Sequence, residues 1–141
     1  MMLRGLSRAR AGRTAPGTAL RLTTALVIPE AGPVCEVELN GEGRPNDKIL
    51  SEVVGGLIQE LPLPSRGPGW ARTVAFINEE GKFHPDRFGP NPRATALMMP
   101  CAHIAADDYI AGALVLVGRG SHGDEVELPE AVAEWVRTAF S

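Results

Sequence analysis

The sequence predicts an α+β fold: one domain, with a mixed and mostly antiparallel sheet of about five strands and two to three helices packed on one face of it. Three observations lead there. Five short apolar runs of strand character recur between residues 25 and 117, and most follow one another directly. Three other segments carry apolar residues at the one-sided spacing of a helix. The chain has 141 residues, 44% hydrophobic and 22% charged, which suits a single ordinary core. Aromatic residues are only 5%, so that core must be aliphatic, and 16 glycines with 12 prolines point to short elements joined by stiff turns.

The elements follow in order. Ala25-Leu-Val-Ile28 reads as a short buried strand, and residues 29–33 as a proline–glycine turn. Residues 34–39 form a second strand, with Val34, Glu36 and Glu38 on one side and Cys35, Val37 and Leu39 on the other. These two make a hairpin. After a loop at 40–45, Asn46 or Asp47 caps a helix whose stripe is Ile49, Leu50, Val53 and Val54, and Gly55-Gly56 ends it. Residues 57–63 return as a strand. Trp70 lids the core, and residues 72–77 are the next strand. Asn78-Glu-Glu-Gly81 turns the chain, and Lys82-Phe-His84 is expected to begin a short return strand. Asn91-Pro92 is a strong helix start, a capping side chain followed by proline at the first helical position, for a helix that stops at Pro100. Residues 108–117 form the most strand-like run, with Gly112 marking a bulge or a close backbone approach. Residues 118–127 read as loop. Pro129 opens a last helix lined by Val132, Trp135, Val136 and Phe140.

Charge divides the chain. Residues 1–24 carry Arg4, Arg8, Arg10, Arg13 and Arg21 and no acid, whereas residues 25–141 hold 9 basic and 17 acidic residues, a balance of −8. The domain boundary is therefore drawn at 24/25. An acidic domain disfavours phosphate-backbone binding, so nucleic acid is not expected on residues 25–141. Three readings stay open for the tail: a disordered or mis-annotated N-terminal extension, a targeting signal, and a basic arm for nucleic acid. No run reaches the roughly 18 apolar residues of a membrane helix.

Several groups look chemical. Asn91, Arg93 and Ala94 at the helix start could hold an anion, through the first-turn amides and the guanidinium, against the plainer reading of simple capping. His84, Asp86, His103 and Asp107 have the residue types of a metal site but no dedicated spacing. Cys101 and His103 could pair as thiol and imidazole, without a third orienting residue. Gly118-Arg-Gly-Ser-His-Gly123 matches G-x-G-x-x-G literally. Yet Asp124, Glu125 and Glu127 follow where a dinucleotide site needs a helix start, so a loop is expected. No motif calls for a catalytic set or a cofactor.

Taken in order, Ala25-Leu-Val-Ile-Pro29, residues 54–63, residues 77–82, Asn91-Pro-Arg-Ala-Thr-Ala-Leu97 and residues 108–118 resemble the domain-of-unknown-function family 3846. The likeness covers residues 25–138, and its more specific pieces are N-P-R-A-T and D-x-I-x-G-A. The family consists of small proteins of actinobacteria and other bacteria, often encoded by phages and plasmids. The resemblance implies a cytoplasmic setting and a mobile-element origin. It brings no activity, cofactor or catalytic residue. Members often begin almost at the first strand, which supports reading residues 1–24 as an extension. The expected function is a non-enzymatic binding or accessory protein, its partner a protein or a small anionic metabolite, with no membrane. The alternatives are a metal-dependent hydrolase using His84, Asp86, His103 and Asp107, and nucleic-acid contact through the Arg-rich tail.

Overall fold

Leu114-Val-Leu-Val117 and Ala25-Leu-Val-Ile28 are apolar at every position, and they become the middle of the sheet. In the computed structural model, which describes residues 23–41, 43–99 and 108–140, the chain order is β1 (Thr23–Ile28), β2 (Cys35–Leu39), α1 (Asn46–Val54), β3 (Ile58–Pro62), β4 (Thr73–Asn78), α2 (Pro92–Met98), β5 (Leu114–Arg119), β6 (Glu125–Val126) and α3 (Glu130–Phe140). Short 3₁₀ turns lie at Trp70–Arg72 and Gly81–Phe83.

The strands line up as β2-β1-β5-β4-β3, and β6 takes over from β1 as the neighbour of β5 at Gly118 and Arg119. Among the described residues every ladder is antiparallel, so the sheet they form is not mixed. The reason is topological. The α1 crossover carries the chain from one edge strand, β2, to the other, β3, so the two strands it joins never become neighbours.

Helices cover both faces, not one. Leu26, Ile28, Leu114 and Leu116 pack with Ala94, Leu97 and Met98 of α2 and with Val132, Ala133 and Val136 of α3. The alternate residues Ala25, Val27, Val115 and Val117 pack with Ile49, Leu50 and Val54 of α1. A strand covered on both sides has no polar face, which is why β1 and β5 lack the alternation of a one-sided sheet. Trp70 is buried as expected. Arg66 lies over the rings of Trp135 and Trp70, at 4.8 and 5.8 Å, and donates to the Leu97 carbonyl oxygen at 2.6 Å.

Other expectations change in detail. β1 starts at Thr23, because Thr23 and Thr24 pair with Leu39 and Glu38 and are buried. β5 starts at Leu114. Residues 108–113 hold one isolated bridge, Ala111 to Pro90, because Gly112 at φ +82° breaks the extended run. The segment at 82–84 is 3₁₀ and not strand, since the amides of Phe83 and His84 bond back to Glu80 and Gly81. Residues 118–127 contain β6, so G-x-G-x-x-G spans the last two residues of β5 and the hairpin turn that follows them. In it, the Gly120 amide donates to the Asp124 carbonyl oxygen at 2.8 Å. The helix stop at Gly55 holds, with φ +84°, but Pro45 occupies the α1 cap position and the Asn46 side chain points elsewhere. Residues 1–22, with all five tail arginines, lie outside the described residues.

Candidate functional site

The α2 start forms as the sequence predicts. Asn91 is 0% exposed and its Oδ1 accepts from the Ala94 amide at 3.0 Å. Its Nδ2 donates to the carbonyl oxygens of Ile28 and Gly112, both at 2.9 Å, and its own amide donates to Ile110 at 2.8 Å. Asn91 thereby ties α2 to the end of β1 and to the segment before β5. Arg93 donates to the Pro29 carbonyl oxygen at 2.8 Å and to that of Phe140 at 3.4 Å. The donors that an anion would use, the Ala94 amide and the Arg93 guanidinium, already serve internal carbonyls and the cap.

The other groups separate. His84 is half-exposed, with Nε2 3.7 Å from Glu80 Oε1, and Asp86 is exposed. Cys101, His103 and Asp107 lie outside the described residues, among which no cluster of three metal-ligating side chains occurs. Burial, and next to it Glu36, pushes the Cys35 thiol up. It therefore stays protonated at neutral pH, and the thiolate is the nucleophile.

The end of the sheet at which β3 starts and β4 stops carries an unforeseen feature. Phe83 is 76% exposed and Leu57 is 64% exposed, with Tyr109 also at the surface. They share this end because the Glu79 amide bonds the Leu57 carbonyl oxygen at 2.8 Å, Gly81 lies against Ala111, and Lys82 reaches Asp108 and the Tyr109 ring. Lys82, and next the Tyr109 amide, hold the Asp108 carboxyl below its ordinary range. Underneath, the Phe88 ring fits against Gly55 and Gly112, and Arg87 stacks on it at 4.9 Å. The available signal was an aromatic side chain at 83 between two polar stretches, E-E-G-K and H-P-D-R, which leaves it without apolar neighbours in sequence.

At the opposite end a polar network, also unforeseen, joins four elements. The Asn40 amide donates to Asn46 Oδ1 at 2.7 Å, and Asn46 Nδ2 donates to Asn40 Oδ1 at 2.8 Å and to Glu125 Oε1 at 2.9 Å. Asn40 Nδ2 donates to Thr23 Oγ1 at 2.6 Å and to the Glu125 carbonyl oxygen at 3.1 Å. The Thr24 amide donates to Glu127 Oε1 at 2.9 Å. Asn40 sits at φ +60°, a conformation asparagine tolerates better than most residues. Compared with known proteins, the chain matches no family model, no curated protein and no solved structure. Among the described residues, no helix is long and apolar enough to cross a membrane.

Proposed function

We propose that the chain is a non-enzymatic binding or accessory protein that presents the Leu57–Phe83–Tyr109 end of its sheet to a protein partner. One observation carries this: two large apolar side chains, Leu57 and Phe83, are more than half exposed at one end of the sheet, while most large apolar side chains among the described residues pack into two covered cores. Aromatic anchors of this kind supply binding energy when a partner desolvates them. The groups singled out for anion chemistry, Asn91, Arg93 and Ala94, serve the fold instead, which favours a protein over a small anionic metabolite. The likeness to the domain-of-unknown-function family 3846, with its cytoplasmic and mobile-element setting, belongs to the same reading.

The test compares affinity capture by the intact chain and by a Leu57→Ser, Phe83→Ser double variant. Both side chains are exposed, so the variant should melt within a few degrees of the parent. A protein retained by the parent and lost by the variant is the expected result. Equal capture by both overturns the reading. So does a melting shift with nucleotides that Arg93→Ala abolishes, which restores the anion site.

A further inference from the structure

Asn40 precedes Gly41, the one asparagine–glycine pair in the chain. Glycine has no side chain, so its amide nitrogen approaches the preceding carboxamide carbon with little hindrance. We propose that Asn40 is a spontaneous deamidation site, and that its reaction is gated by opening of the Asn40–Asn46 network. The Gly41 amide nitrogen gives up its proton and bonds to Asn40 Cγ. The Cγ–Nδ2 bond breaks, and Nδ2 leaves as ammonia. Water then opens the succinimide at either carbonyl, giving aspartate or isoaspartate. One water enters, one ammonia leaves, and nothing is oxidised or reduced.

The folded chain holds the reacting groups apart. Both Nδ2 donations, to Thr23 and to Glu125, and the Oδ1 contact to Asn46 fix the carboxamide. Ring closure swings that carboxamide toward Gly41 and breaks these bonds, so the reaction draws on molecules in which this corner has opened. The product cannot re-form the network. A carboxylate has no hydrogen for the Glu125 carbonyl oxygen, and it lies beside the Glu125 carboxylate, which shares Asn46 Nδ2 with it. Isoaspartate also lengthens the main chain by one carbon at residue 40. Deamidation thus removes a tether of β6 and cannot be reversed by refolding. Asn91 has no equivalent route, because Pro92 has no amide hydrogen.

The experiment incubates the full chain at mildly alkaline pH, native and in urea, and follows residue 40 by peptide mass and isoaspartate content. A native rate at least roughly tenfold below the unfolded rate is expected, since only the open fraction reacts. Asn46→Ala, confirmed folded by its melting transition, should raise the native rate by about tenfold, because it removes the partner of Asn40 Oδ1 and of the Asn40 amide. Thr23→Val serves as the second variant if Asn46→Ala does not fold. Equal native and unfolded rates overturn the gate, as does a native rate unchanged in the folded variant. No reaction at residue 40 in urea overturns the site itself, and Gly41→Ala should slow that unfolded reaction.

Discussion

Asn91 and Asn40 stand at opposite ends of the sheet and each ties several elements together, yet one is permanent and the other exposed to time. Asn91 is wholly buried, caps α2, and grips two main-chain carbonyls that have no other side-chain partner among the described residues. Asn40 is half-buried and works through a second asparagine and an acidic strand. The residue that follows each one completes the contrast. Pro92 pre-sets the helical φ and removes the reactive amide, whereas Gly41 leaves the main chain free. The same carboxamide is thus a core element where the helix start encloses it and a vulnerable tether where a loop does.

One matched substitution measures this difference. Asn91→Asp places a carboxylate against the carbonyl oxygens of Ile28 and Gly112, and should cost about 4 kcal/mol or more in urea unfolding. Asn40→Asp, in partial contact with water, should cost about 1–2 kcal/mol by the same measurement. Equal losses would erase the distinction between the ends. Gly55→Ala probes the packing of α1 on the Asn91 side. A Cβ there meets the Phe88 ring at 3.0 Å in a left-handed backbone, so a loss of about 1–2 kcal/mol is expected from thermal melts.

The smallest effect belongs to Lys82 and Asp108. The folded carboxyl is depressed, so its contribution to stability is present at neutral pH and fades as pH falls through the carboxylate range. Asp108 is partly exposed, and the water that reaches it screens that contribution. In Lys82→Ala the Asp108 carboxyl should titrate closer to its ordinary value by NMR, with the neutral-pH melting temperature nearly unchanged.

Much of this was legible residue by residue. The β1–β2 hairpin, the helix stop at Gly55 and the Asn91-Pro92 start depend on local rules of alternation, left-handed glycine and capping, and they stand where those rules put them. The covering of both sheet faces was less legible, although its signal was there: four consecutive apolar residues in each central strand, with no polar face. Expectation failed where a local preference met a distant partner. Asn46 is a good cap by type, but Asn40 and Glu125 claim its side chain and leave the cap position to Pro45. Residues 108–117 read as one strand, yet Gly112 and the contacts to Gly89 and Asn91 hold the first half away from the ladder. For Arg93 the residue type suggested an anion and said nothing of the Pro29 and Phe140 carbonyls that take its hydrogens.

By itself the sequence determined most of the element types and the aliphatic character of the core, because periodicity and turn chemistry act over a few residues. The tertiary structure alone decided the strand order and the partners of each asparagine. Those depend on contacts between residues up to about a hundred positions apart, such as Thr24 with Glu127, whose pairing no local pattern encodes.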